Sequence, residues 1–569
     1  MITTKKVPKK KVQVVEPEVS PKPKKVVKKK DSDPSDNAAT PLKKVTKKAP
    51  TKSKAVKQIS VPNLTNFVAK DVTTVEKLKA AFSTAQVPSF EIDKSPSSWI
   101  LPNRVKFNNW LNATFRYSSS VSSKQGCEKN SVKVDSVSLF PHQKLIKDYI
   151  QFHSPYRGIL LYHGLGVGKS CASIAAAELL MNHMDVMVML PASLKGNYIN
   201  EIKKCGRRFY GMKQNWKFVP INVFEDSKPE VAKVSGLATE VIERHQGVWV
   251  PTNEGGTSPN FTSLPNEAQS QILEQVNTII SNKYTFVAYN GLNTNKINEM
   301  NKNGNPFDNK CIVIDEIHNL ISRIVNGGKI GRALYKLLMT AKNCKLILLS
   351  GTPIINYPYE VAYLINLIVG PRTQYVISLL KTAHADADVV KSSVESIPEV
   401  DSVVYDENTK RVKLLLLPSG FEYSDRAKLE VRRKAQTEDN TQDDKSIIES
   451  IKNALRKSGV GVMAKVGEKE YRVLPEDEKE FNKYFVNMED GKILNTRLFS
   501  RRILGTVSFY STYSPELYPK WEVQESNEPM TPTQFAVYEK SRLEERKKES
   551  KSKHNKGSDG NIFKESGQV

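Results

Sequence analysis

RGILLYHGLGVGKSCASIAAAELL, residues 157–180, decides the fold. It opens on a run of Ile, Leu and Tyr, places Gly164, Gly166 and Gly168 in its middle, and closes on Ala, Glu and Leu. An apolar run that ends in glycines and is followed by helix formers reads as a buried strand, a tight turn and a helix. At such a turn the free N–H groups and the dipole of the starting helix favour an anion, and glycines let the backbone close around it. Gly166, Gly168, Lys169 and Ser170 are therefore read as a phosphate cradle for ATP. Lys169 would reach the β and γ phosphates, and the Ser170 hydroxyl would ligate Mg2+. His163 stands where the strict phosphate-loop pattern has glycine.

Further runs of the same kind lie downstream: DVMVMLP (185–191), YTFVAYN (284–290), CIVIDE (311–316) and KLILLSG (345–351). Each ends in a polar residue, Pro or Gly, and helical stretches separate them. That alternation predicts buried parallel strands joined by crossover helices, a doubly wound α/β domain over 131–375. Ligands of such sheets gather at the carboxyl ends of the strands.

In CIVIDEIHNL, Asp315 and Glu316 close an apolar strand, where one carboxylate can hold magnesium and its neighbour can polarise a water. Asp315 is assigned to the metal and Glu316 to the base; a DE pair alone would read as an acidic helix cap. His318 reads as a relay towards the next motif. Ser350 and Thr352 follow the next strand and suit hydroxyls that sense the γ-phosphate. Before the loop, Gln143 opens a helix in SLFPHQKLIKDYI, where an amide can pair with the edge of adenine. Pro191, Ser193, Leu194 and Lys195, and then Tyr289, Asn290 and Gly291, sit at strand ends that open helices and suit the backbone of a nucleic-acid strand.

The flanks differ in composition. Residues 1–57 carry 18 lysines against 5 acidic residues, about half of the chain's formal excess of +25. Too little there is apolar to offset the entropy of ordering, so disorder is expected. Such a tail suits either a non-specific DNA-binding or nuclear-localising arm, or simple solubilisation. Residues 58–130 mix aromatics with polar residues and predict a small N-terminal domain. Residues 376–520 predict an α+β accessory domain with a hairpin turning at Asp406–Thr409, and 521–569 a charged linker or the cut start of another lobe. Turn formers at 251–262 mark a surface loop. The five cysteines are widely spaced, with no CxxC pair and no clustered histidines, which fits a reducing compartment. No apolar run approaches the roughly 18–20 residues of a spanning helix, so an unsecreted protein without a membrane partner is expected.

Taken in order, FPHQ, HGLGVGKS, LPASL, VAYNGL, VIDEIHNL and LLSGTP resemble the first-lobe motifs Q, I, Ia, Ib, II and III of superfamily 2 DNA-dependent ATPases. The later stretches RLFSRRILGTVSFYSTYSPELYP and MTPTQFAVYEKSR resemble the helicases of large nucleocytoplasmic DNA viruses, the group that contains the poxvirus early transcription factor small subunit. The resemblance covers about residues 131–545. It implies a RecA-like helicase lobe, an ATP hydrolase that moves on or remodels duplex DNA, with the viral RNA polymerase or an early transcription factor subunit as partner. It also implies a place in the virion and the host cytoplasmic virus factory, with the host nucleus as the alternative.

One departure stands out. Such motors close a second lobe on the ATP, and its QxxGRxxR motif supplies arginine fingers; no such motif occurs in this chain, and under fifty residues follow Trp521. The sequence therefore reads as a fragment whose second lobe comes from elsewhere, with turnover lowered about 10³-fold without those arginines. Two alternatives stay open: an ATP-binding DNA-binding or transcription-initiation module with little hydrolysis, and an RNA helicase.

Overall fold

The computed structural model describes residues 67–85, 90–117, 139–164, 166–252, 258–380, 386–435, 443–511, 522 and 524–554. The Lys-rich tail at 1–57 lies outside the described residues, as do 253–257 of the expected surface loop, 436–442 of the expected accessory domain, and 555–569.

The centre is a six-stranded parallel sheet. In chain order its strands are β1 (Gly158–His163), β2 (Asp185–Leu190), β3 (Tyr284–Ala288), β4 (Lys310–Ile314), β5 (Lys345–Ser350) and β6 (Val507–Tyr510). Across the sheet they run β6-β1-β5-β4-β2-β3, every neighbour parallel. The near-continuous apolar runs have a direct cause. Leu161, Val186, Val188, Val313, Ile347 and Leu349 enter one core, while Leu160, Met187, Met189, Ile312, Ile314, Leu346 and Leu348 enter another on the opposite face. Both faces are covered, so both alternating sets must be apolar. The chain thus has the doubly wound, RecA-like sheet that the motif order predicts.

β6 belongs to a span that the sequence assigns to a separate accessory domain. It pairs with β1 from Val507↔Leu160 to Tyr510↔His163. Two backbone bonds extend the contact: Leu160 N–H donates to Thr506 O at 2.8 Å, and Gly164 N–H donates to Tyr510 O at 2.9 Å. Between β5 and β6 the chain builds a four-stranded antiparallel sheet in the order Val400–Asp406, Arg411–Leu416, Arg372–Leu379, Val462–Tyr471. The hairpin expected at Asp406–Thr409 joins its first two strands, closing on the pair Asp406↔Arg411. Helices Ala387–Glu395 and Asp444–Lys457 cover this sheet and give it its own core around Ile377, Val390, Val394, Leu414 and Ile451.

The aromatics before residue 130 do not form a core of their own. Trp99 meets Tyr156 edge to face at 5.5 Å between ring centres, and Tyr149 stacks on Tyr156 at 4.2 Å. The Tyr149 hydroxyl donates to Gly505 O at 2.7 Å, just before β6. Trp99, Phe107 and Phe115 are buried in the same apolar cluster as Ile159 and Leu161 of β1. This segment is a buttress of the parallel sheet. Among the described residues no helix is long and apolar enough to cross a membrane.

Candidate nucleotide site

Because all six strands run the same way, their carboxyl ends share one edge of the sheet. β5 lies between β1 and β4, so the loop after β1 and the acidic pair after β4 flank Ser350. The chain turns from β1 into helix Lys169–Leu180 through Gly166 (φ +76°) and Gly168 (φ +79°), which caps the helix in the left-handed region. A Cβ at Gly168 would also collide with the Gln143 amide. The left-handed backbone favours glycine there, and a side chain would have to displace that amide.

Lys169 lies across the loop mouth, its Nζ donating to His163 O at 2.9 Å and Gly164 O at 3.1 Å. Burial pushes the ammonium's pKa down, and Glu316 and Asp315 oppose that shift, so the cation and the acidic pair already feel one another. Asp315 is pushed up to about 6 by burial and by the Glu316 charge, against the Glu316 N–H that donates to its Oδ1 at 3.1 Å. Glu316 itself adopts φ +49°, ψ +50°, a left-handed conformation that costs a residue with a side chain energy. It is the residue through which the chain leaves β4 and enters helix Ile317–Val325.

The structure brings His318, Ser350 and Thr352 together. The His318 Nδ1 lies 2.9 Å from Ser350 Oγ and 3.2 Å from Glu316 Oε2, and Ser350 Oγ accepts the Thr352 N–H at 3.0 Å. Burial pushes the His318 imidazole down, with Glu316 and then Glu360 opposing. A polar chain therefore links the acidic pair to the loop after β5. Pro191, Ser193, Leu194, Glu316, His318, Asn319, Gly351 and Thr352 line one cleft of about 470 Å³, in which two predicted groups meet.

Other positions differ from what their motifs suggest. The Gln143 side chain is buried, and both ends of its amide are engaged: Oε1 accepts Phe140 N–H at 3.0 Å, and Nε2 donates to Gly168 O at 3.0 Å. These two bonds brace the turn that carries Gly168. Tyr289 is likewise buried, its hydroxyl donating to Asp315 O at 3.1 Å and Glu316 O at 3.0 Å. It holds the acidic turn, while Asn290 and Gly291 beside it are exposed. Pro191 is buried, and Ser193 and Lys195 are exposed, the Lys195 ammonium lying 5.3 Å over the Phe286 ring.

Three residues of the site carry no motif reading. His142, next to Gln143, places Nε2 3.1 Å from Val167 O and stacks on Tyr510 at 3.9 Å between ring centres. Glu360 accepts the N–H groups of Ile355 at 2.8 Å and Asn356 at 3.3 Å, which fixes the loop after Thr352. His142 lies within FPHQ and Tyr510 within RLFSRRILGTVSFYSTYSPELYP, though neither motif singles out that side chain; nothing local marked Glu360.

The sheet and the arrangement at its carboxyl edge define an α/β protein with a RecA-like parallel sheet. The chain is distantly homologous to proteins of large DNA viruses that are named as putative helicases or as a termination factor homolog. Two relatives from Acanthamoeba polyphaga mimivirus are named "Putative ATP-dependent RNA helicase", R563 and R350. The first is 27% identical over 233 residues, covering 40% of this chain and 32% of the relative. The second is 21% identical over 414 residues, covering 70% and 31%. An African swine fever virus protein named "Termination factor NPH-I homolog" is 23% identical over 217 residues, covering 38% and 22%. The chain thus spans about a third or less of these relatives' length. No family model matches the sequence.

Proposed function

We propose that this chain is the ATP-hydrolysing lobe of a motor that translocates on or remodels duplex nucleic acid during viral transcription. The observation that carries this reading is the single edge on which Lys169, the Asp315–Glu316 pair and the His318–Ser350–Thr352 chain meet. The loop N–H groups and Lys169 hold the triphosphate. Glu316 takes the proton of the attacking water, and His318 carries the state of that carboxylate to the loop after β5. Ser170 and Asp315 offer only hard oxygen donors, and Asp315 is a buried carboxylate beside a like charge, which a cation relieves; the pair suits Mg2+, whose chemistry is to neutralise phosphate charge.

Ser193, Lys195, Asn290 and Gly291 are the exposed groups at the ends of β2 and β3, and we assign the nucleic-acid backbone to them. Duplex DNA is the preferred substrate in this reading. The relatives' names favour a second one: two are called RNA helicases, and another a termination factor. ATP turnover measured with duplex DNA and with RNA of the same length separates them. Stimulation of at least about tenfold by the DNA alone supports the first reading, and stimulation by the RNA alone overturns it.

A further inference from the structure

Cys171 follows Ser170 in the first turn of helix Lys169–Leu180, and Cys205 ends helix Lys195–Cys205. Spacing along the chain does not pair them, since they are 34 positions apart and all of β2 lies between. The fold does: their Cα atoms are 5.4 Å apart and their sulfurs are joined as a disulfide. That Cα distance falls within the range that a disulfide bridges without backbone movement.

The surroundings say what the link would hold. The two helices are already tied by Ser173 Oγ and the Tyr198 hydroxyl at 2.9 Å, and Ser173 Oγ donates to Ser170 O at 2.7 Å. Helix Lys195–Cys205 starts at the cleft that Glu316 and His318 line. A bond between Cys171 and Cys205 therefore fastens the first turn of the phosphate-loop helix to the far end of the helix that opens on the cleft. Cys171 is half-buried and Cys205 is buried, so an external reagent meets Cys171 first. Glu201 Oε2 lies 3.7 Å from Cys171 Sγ, giving three metal donors in the group. Structural zinc takes four.

We propose that Cys171 and Cys205 form a reversible disulfide that stiffens the nucleotide site, a modification site whose meaning for turnover rests on the phosphate-loop reading above. The oxidant is a small-molecule disulfide. The Cys171 thiolate attacks one of its sulfurs and expels one thiolate; the Cys205 thiolate then attacks the Cys171 sulfur and expels the second. The two thiol protons end on the two released thiolates, so one disulfide is made and one is consumed.

The test treats the full chain with glutathione disulfide or with dithiothreitol, maps its cysteine peptides without reduction, and follows amide exchange over residues 166–205. The expected result is a Cys171–Cys205 peptide that dithiothreitol removes, with exchange in the last turns of helix Lys195–Cys205 at least about threefold slower when oxidised. Cys171→Ser and Cys205→Ser each abolish both effects. Glutathione adducts without the linked peptide, a linked peptide without slower exchange, or zinc retained by the reduced wild type and lost from Cys171→Ser would each overturn the proposal. A chain that binds no ATP in either state counts against the phosphate-loop reading only, because the peptide map and the exchange need no nucleotide.

Discussion

His163 shows how much one side chain of this site depends on its neighbours. It ends β1, its Nε2 lies 2.9 Å from Ser508 Oγ on β6, and its Nδ1 is buried with no hydrogen-bond partner among the described residues. Burial, then His142 and Lys169, push the imidazole down to about 4, so it is neutral in the folded protein. The unfolded chain takes up that proton near pH 6.5 and the folded chain does not. His163 therefore favours the fold fully above about pH 6.5, and less as pH falls from there towards 4. Urea midpoints at pH 7.5 and pH 5 should drop further for the wild type than for His163→Asn; an equal drop in both would contradict the assignment. A departure from the glycine pattern marks the position of His163 along the chain, but nothing local marks its partner, which lies 345 positions away. Gln143 and Tyr289 teach the same lesson from the other side. Their motifs locate them at the site, yet whether an amide or a ring faces the ligand or the backbone is decided by packing that no local pattern encodes.

Among the elements, the parallel strands were legible because burial on both faces demands unbroken apolar runs, and each run ends at a turn former. β6 was not. Four residues, Val507–Tyr510, are too few to show a period, and the strand lies more than 150 positions after β5 with an antiparallel sheet between them. Register, not composition, assigns it to β1. The acidic turn after β4 depends on a neighbouring element too, since the Tyr289 hydroxyl supports both of its carbonyls. Tyr289→Phe should lower stability by about 1 kcal/mol, the net worth of such bonds, by freeing the strained Glu316 turn. Equilibrium urea unfolding checks this; no loss would mean that the hydroxyl carries none of the turn. The disulfide pair belongs at this scale as well, because two helices rather than two stretches of sequence bring the cysteines together.

For the whole molecule, one feature of the sequence carried furthest: the order of the motifs along the chain, which the parallel sheet turns into a single edge. Domain boundaries carried less, since the aromatics of 99–117 are packed into the lobe's own core. The central claim is that this edge hydrolyses ATP. The direct test is steady-state ATP turnover of the chain with duplex DNA, beside Lys169→Ala and Glu316→Gln, with nucleotide binding measured in parallel. The account predicts a wild-type rate that falls about 100-fold or more in both variants, with binding weakened in Lys169→Ala and kept in Glu316→Gln. A clear wild-type rate that neither substitution changes would contradict it.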